Sequence, residues 1–419
     1  MAKNQEDYYD HKKPWSRVKD DLLGVYLSAY FQKVLSTNRP VSYVDCFAGR
    51  GEFMDGEPGS PLIALREAQA CLGRAHSANK GISMAFIEAY HWASDLADIV
   101  DRVRQAQPYP IPCRVIKGRF EVTADRLIGG MAGSHVFLYV DPYGIKDLDF
   151  SLITSFGSHQ PGPYGIELLM NLNSFGFVRA ACRAMKVRFE DDSALAIGDD
   201  EFADELDQTT EPPSVALLDS IAGGQYWRQI VVDLRDGLID GRAAERRFAA
   251  AYRDKLRDTY RYVLSMPIRE APGQPPKYRM VHATNHSAGC VTMADNMVQR
   301  KQELHIHLKA HGQGTLFATD VEGEVTDPAA VGGLVQELAR DLADFTDVEE
   351  VVADFYSSVG VVCKSGVIRE ALRRLEGSGQ IDVDRYPRLT PKSGERSRRF
   401  TAAPGGWVRV RARHEHAPA

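Results

Sequence analysis

This chain of 419 residues predicts an α/β protein built on a doubly wound, Rossmann-like sheet, with a helical insertion and a winged helix at the C-terminal end. Three observations carry that expectation. Short apolar, β-rich runs alternate with amphipathic stretches through the first half, which is the rhythm of strand and crossover helix. The first and fourth of those runs each carry an aspartate near their end, Asp45 and Asp141, with a glycine-bearing turn close behind. The basic residues concentrate near the C-terminus, on a chain whose net charge is -6.

The elements follow in order. Residues 14 to 36 place Val18, Leu22, Leu23, Tyr26, Leu27 and Tyr30 at helical spacing. VSYVDCF (41–47) is a strand ending in a glycine-bearing turn, and a helix follows from about Leu62 to Leu72. GISMAFIEA (81–89) is a second buried strand with its helix behind it. CRVIKG (113–118) is a third, followed by a helical stretch near 121 to 132. HVFLYVDPYG (135–144) contains the clearest buried strand, and GIELLMNLNS (165–174) is another strand or the start of a helix. Residues 176 to 260, rich in charge and alanine, are expected to form a mostly helical insertion. YRYVLSMPIR (260–269) and YRMVHATNH (278–286), split by a Pro/Gly-rich turn, predict an antiparallel hairpin closing the sheet. A helix over about 288–311 precedes a Gly/Thr/Asp-rich linker, 312–332. Helices over 332–345, 347–357 and 363–377 then lead into two strands around a basic loop, the pattern of a winged helix. The expected domains are thus an N-terminal helical segment (1–40), a Rossmann domain (41–311), the linker, and a winged helix (333–413).

Composition narrows the class. With 44% hydrophobic and 26% charged residues, collagen-like, coiled-coil and wholly disordered chains are excluded. No apolar run reaches about 18 residues, so no membrane-spanning helix is expected. The polar start MAKNQEDYYDHKKPW lacks the apolar core of a signal peptide. A soluble, cytoplasmic protein is expected, nucleoid-associated if DNA is its substrate. The six cysteines (Cys46, Cys71, Cys113, Cys182, Cys290, Cys363) form no C-x-x-C pair and read as free thiols in a reducing compartment. No metal site is expected: His305, His307 and His311 do not share one helix face, His282 and His286 straddle a strand end, and no acidic cluster accompanies them. Lys12 and Lys13, before Trp15, read as a solvated flank.

The chemistry concentrates at the strand ends. In Tyr43-Val44-Asp45-Cys46-Phe47-Ala48-Gly49-Arg50-Gly51 a buried strand delivers an acid, then glycines that let the backbone approach a ligand. The second strand ends in Glu88, an acid suited to ribose hydroxyls. Only G-x-G is present, short of the G-x-G-x-x-G dinucleotide fingerprint. With Glu88, the set Asp45, Phe47, Gly49, Gly51 instead resembles the first two motifs of class I S-adenosylmethionine-dependent methyltransferases. Asp141-Pro142-Tyr143-Gly144 resembles the D-P-P-Y motif of amino-methyltransferases, with the second proline missing and the tyrosine one place earlier. D-P-[YF]-G also occurs in tRNA guanine-N2 methyltransferases. The resemblance implies an acid and neighbouring carbonyls that accept from an exocyclic base amine while the aromatic ring stacks on the base. Holding that amine beside the methyl donor supplies proximity and raises its nucleophilicity.

Together these pieces resemble a more specific family. K-x-W-S-x-V-K-x-x-L-L-x-x-Y-L precedes Y-V-D-x-F-A-G-x-G, Gly59-Ser60-Pro61 follows, then D-P-Y-G, and later Y-R-M-V-H-A-T-N-H-S-A-G-C-V-T-M-A-D-N-M (278–297). This set is similar to the three-Cys-motif partner proteins, TcmP, over roughly residues 10 to 310 and more loosely beyond. The likeness implies a methyltransferase-like fold encoded beside a radical-SAM-like protein with a three-cysteine motif. It implies a cofactor lined by Asp45, Gly49 and Gly51, with Glu88 at its ribose and Asp141 to Gly144 at the reacting group.

Residues 364 to 413 hold thirteen Lys and Arg against five Asp and Glu, whereas the rest of the chain is acidic. On the helix beginning near Lys364, apolar Val367, Ile368, Ala371, Leu372 and Leu375 share a face. Lys364, Arg369, Arg373 and Arg374 lie largely elsewhere, and Lys392, Arg396, Arg398 and Arg399 surround the basic turn. A helix in a major groove with a wing on phosphates accounts for this distribution, so nucleic acid is the expected partner, duplex DNA ahead of RNA. The expected function is S-adenosylmethionine-dependent methylation of an exocyclic base amine. The alternatives are a non-methylating DNA-binding partner of a radical-SAM-like protein in modification or repair, and a metal-dependent nuclease.

Overall fold

The structure is a computed structural model that describes residues 14–74, 81–89, 91–131, 133–158, 165–188, 212–269, 274–310, 328–389, 397–402 and 405–413. Lys12, Lys13, His311, Lys392, Arg396, the stretch 189–211 of the expected insertion and most of the expected linker lie outside the described residues. Two compact units are present, Met1–Asn285 with Glu303–Thr319, and His286–Gln302 with Asp320–Ala419.

The first unit is the expected α/β sheet, seven-stranded, mostly parallel and flanked by helices. β1 (Val41–Asp45), β2 (Ile82–Glu88), β3 (Cys113–Lys117), β4 (His135–Val140), β5 (Ile166–Leu172), β6 (Tyr262–Ile268) and β7 (Tyr278–Thr284) lie in the order β3-β2-β1-β4-β5-β7-β6. β1 to β5 run parallel, and β7 is antiparallel to both β5 and β6. The doubly wound order is therefore kept, with the β6–β7 hairpin at one edge. β1, β4, β5 and β7 are buried along their whole length, as continuous apolar runs under two helical layers must be. The run 165–174 resolves into strand β5 followed by a helix from Ser174, with Asn173 accepting from Gly176 N–H as its cap.

α1 (Pro14–Ser36) belongs to this unit and is not a separate segment. It buries Leu22, Leu23, Leu27 and Phe31, and its Tyr26 ring lies 5.6 Å from Phe137 of β4. The Tyr26 hydroxyl donates to Glu167 of β5, and the Glu167 carboxylate lies 3.4 Å from His282 Nε2 on β7. The described part of 176–260 is helical, as expected. Its helices Val215–Ala222, Trp227–Arg235 and Gly241–Leu256 do not stand apart: Leu218, Ile221, Trp227, Phe248 and Tyr252 join the core formed with Leu168, Met170 and Val281. They are the helical layer between β5 and β6.

In the second unit, helix Pro328–Arg340 starts inside the expected linker, and β8 (Thr346–Asp347), helix Val348–Val359, helix Ser365–Gly377, β9 (Ile381–Tyr386) and β10 (Trp407–Ala412) follow. The three strands form an antiparallel sheet in the order β8-β10-β9. The first two thirds of helix Ser287–Ala310, expected to close the Rossmann domain, group here. A carboxylate explains why. Asp295 accepts from the Ser365 backbone N–H and hydroxyl, both at 2.6 Å, and so caps a helix whose N-cap residue Lys364 supplies no side-chain bond. Asp295→Ala is expected to destabilise this unit by about 1–2 kcal/mol, the usual loss of a capping acceptor. Hydrogen exchange of residues 365–368 should rise with it, and unaltered protection there would contradict the capping role.

Among the described residues, no helix is long and apolar enough to cross a membrane. All six cysteines are free.

Candidate functional site

The carboxyl ends of β1 and β4 meet where the strand order reverses, and a cleft of about 400 Å³ opens there. That is where open α/β sheets bind ligands, and the volume suits a small molecule or cofactor. Phe47, Gly49, Gly51, Glu88, Asp141, Pro142 and Tyr143 all line it. Residues nearly a hundred positions apart are thus brought to one wall. Asp45 and Gly144 are not among the lining residues.

The glycine turn explains its own composition. Gly49 and Gly51 have φ of 62° and 89°, the left-handed region that side chains rarely adopt. A Cβ on Gly51 would also sit 2.6 Å from Leu96 Cδ1. Gly49 N–H donates to Glu88 Oε2 at 2.8 Å, tying the turn to the end of β2. The loop then folds back, with Gly59 N–H donating to Gly51 O at 2.8 Å, so that Gly59 and Ser60 rejoin the cleft at a helix N-terminus.

Asp45 acts behind the turn. It is fully buried, and accepts from Phe47 N–H at 3.3 Å and from the Tyr43 hydroxyl at 3.2 Å. Burial pushes its carboxyl up to about 7, and nearby Asp141 adds to the rise, while hydrogen bonds from Ser60, Phe47 and Tyr43 oppose it. A carboxyl raised on folding contributes stability that is complete below its ordinary value of 3.8 and is lost as pH climbs to about 7. Asp45→Asn should therefore raise the Tm relative to the unaltered chain at pH 8 more than at pH 5. A difference independent of pH would contradict this.

Asp141 closes the other side. Its Oδ2 accepts from Lys19 Nζ at 2.7 Å and from the Tyr139 hydroxyl at 3.2 Å, and its Oδ1 accepts from Asn171 Nδ2 at 2.8 Å. The Lys19 side chain is only 5% exposed, and its ammonium lies 5.1 Å from the centre of the Tyr278 ring. Burial alone pulls Lys19 down, but the charge of Asp141, its hydrogen bond and Tyr278 outweigh that and raise it above its ordinary value. Lys19 therefore stays an ammonium. Trp92 and the stretch Gly118 to Phe120, at the end of β3, complete the wall, with Arg50 placed 5.2 Å over the Trp92 ring.

Lys19 stands in the N-terminal K-x-W-S-x-V-K pattern with no role expected of it there, and Asn171, Trp92 and Phe120 lie outside every motif. Lys19 had a signal: it lies three and four residues before Leu22 and Leu23, inside the apolar stripe of α1, where a lone cation needs a buried partner. Asn171 had a similar one, a polar side chain within the fully buried strand β5.

The basic residues of the second unit divide. The Arg369 side chain is only 15% exposed, donating to Ser365 Oγ at 2.6 Å and to Glu349 at 2.5 Å, so it braces the helix. Lys364 donates to Gln299. Arg373 pairs with Glu370 and sits 5.8 Å from the Phe400 ring, and Arg398 and Arg399 are exposed. Arg374 is 69% exposed. Among the described residues no group of three His, Cys, Asp or Glu side chains is arranged to hold a metal.

No protein-family model matches the chain, and no curated protein matches it either.

Proposed function

We propose that this chain is an S-adenosylmethionine-dependent methyltransferase-like protein acting on an exocyclic base amine of nucleic acid, with duplex DNA ahead of RNA as substrate. One observation carries the reading: the glycine turn after β1, the acid ending β2 and the Asp-Pro-Tyr turn after β4 line a single cleft at the switch point of the sheet.

The donor set fits the cofactor. Glu88 suits a ribose diol, the turn at Gly49 and Gly51 allows close backbone approach, and Phe47 and Trp92 set aromatic rings in the wall for a nucleobase. The bound cofactor supplies an electrophilic methyl group on a sulfonium. Asp141 supplies the acceptor for the substrate amine. A carboxylate has about four acceptor positions, and Lys19, Tyr139 and Asn171 occupy three of Asp141's, which leaves one for an amine N–H. Tyr143 offers its ring to the base, and Lys19 and Asn171 fix the carboxylate from both sides. The experiment is transfer of labelled methyl from S-adenosylmethionine to DNA and tRNA. Labelling of either supports the reading, and labelling of neither, with cofactor bound, removes the enzymatic half of it.

The second unit supports a winged-helix reading. Helix, strand, two helices and a final strand pair, with β10 between β8 and β9, is the pattern of that fold, and its basic residues gather in the stretch 364 to 413. Exposed Arg373, Arg374, Arg398 and Arg399 are the phosphate contacts of this proposal. Arg374→Glu should weaken duplex binding and lower the slope of log affinity against log salt by about 1, because one fewer counterion is released. Filter binding across a salt series measures both.

The likeness to three-Cys-motif partner proteins supplies a second reading, a non-methylating nucleic-acid-binding partner of a radical-SAM-like protein. Asp141 favours it in one respect, since its carboxylate already holds a buried ammonium and a substrate amine must share it.

A further inference from the structure

The outer face of the three-stranded sheet carries planar groups that the helix-in-groove reading does not use. Along β10, Val408, Val410 and Ala412 are buried while Trp407, Arg409 and Arg411 alternate with them on the other face. Register sets Tyr386 opposite Trp407, Asp384 opposite Arg409 and Asp382 opposite Arg411. The Tyr386 and Trp407 rings stack with centroids 4.6 Å apart and an 18° tilt. The Arg409 guanidinium lies 5.4 Å from the Trp407 ring, and that of Arg411 lies 4.4 Å from Phe345. Two of these rings remain open to solvent, Tyr386 at 53% exposure and Phe345 at 40%. Asp382 pairs with Arg411 and Arg413, and Asp384 accepts weakly from Trp407 Nε1 at 3.4 Å, so the acids orient the planar groups.

We infer that this face is a stacking platform for unpaired bases of a nucleic-acid strand. Two rows of ring and guanidinium, Tyr386–Trp407–Arg409 and Phe345–Arg411, end in exposed aromatic faces on which further flat groups can stack. Bases within a duplex have their faces covered and show only edges, so the occupant that fits is a single strand or an extruded nucleotide. Arg409, with no carboxylate partner among the described contacts, and exposed Arg413 supply positive charge for its backbone. The inference rests on the nucleic-acid reading of this unit, but not on methyl transfer. It agrees with that chemistry, because a base amine must leave the stack before an enzyme can reach it.

The test is fluorescence anisotropy of the full chain with a labelled oligothymidylate and, separately, a blunt duplex, using Tyr386→Ser, Trp407→Ala and Arg374→Glu. Tyr386 is exposed enough for its variant to fold, and circular dichroism checks both aromatic variants. The expected result is single-strand affinity weakened about 5- to 100-fold in Tyr386→Ser and Trp407→Ala, the loss expected when a base loses its aromatic partner, with duplex affinity unchanged. Arg374→Glu should do the reverse. Folded aromatic variants that bind the single strand as tightly as the unaltered chain would overturn the platform and leave the duplex reading standing. So would an unaltered chain that binds only duplex, a result pointing to a protein partner for this face. Binding of neither probe would overturn both readings.

Discussion

Asp141→Ala is expected to cost about 3–5 kcal/mol of stability, because it strips the counter-charge from a buried ammonium, and to abolish the methyl transfer proposed above. Lys19 is 5% exposed and keeps its proton, so losing Asp141 leaves a charge in the protein interior. The 20% exposure of Asp141 lets some water reach the site and favours the lower end of that range. The chemical and structural effects separate in the double variant Lys19→Met/Asp141→Ala. Removing the stranded ammonium should restore most of the stability measured by urea denaturation. Transfer should stay lost, since no acceptor for the amine returns. A double variant that regained transfer would show that Asp141 serves only to hold α1.

Glu245→Ala is expected to cost about 3–5 kcal/mol with no contact to the cleft. Glu245 is fully buried on helix Gly241–Leu256 and receives both Arg279 Nε at 2.6 Å and Arg279 Nη2 at 2.8 Å. The Ser174 hydroxyl adds a third bond at 2.5 Å. Arg279 stands on β7 opposite Leu172, so the pair ties the helical layer to the carboxyl end of β5. Removing the carboxylate leaves a buried guanidinium and a buried hydroxyl unanswered. Glu245→Gln, which keeps the shape and one acceptor, should cost less. A loss below about 1 kcal/mol for the alanine variant would mean that water reaches Arg279, contrary to its burial.

The sheet was legible because its strands are buried on both faces. VSYVD, HVFLYV and IELLMNL read as apolar runs whatever their neighbours do. Their ends were legible for a related reason: a turn that must bend sharply at a ligand needs glycine or proline, as at Gly49, Gly51 and Pro142. Asp45 was recognised as important, and the structure sets it behind the glycine turn, outside the residues that line the cleft. An acid at a strand end can face the ligand or brace the turn, and only the bonds from Phe47 and Tyr43 decide between them. The roles of Lys19 and Asn171 were not legible because their partner is set by packing across more than a hundred residues in one case and thirty in the other. The grouping of residues 286 to 302 with the C-terminal unit escaped for the same reason, since the Asp295–Ser365 cap spans seventy positions. Arg369 shows the limit of charge counting. Half-buried against Glu349, it adds to a local balance without adding to a surface.

The measurement that tests the central claim most directly is calorimetric titration of the full chain with S-adenosylmethionine, with Glu88→Ala and Gly51→Val as controls. Glu88 lines the cleft and holds the glycine turn, and a side chain at Gly51 meets both a left-handed backbone and Leu96. Saturable one-site binding, lost in both folded variants, is the predicted result. No heat of binding to a folded chain, or binding that survives both changes, would contradict a cofactor in this cleft.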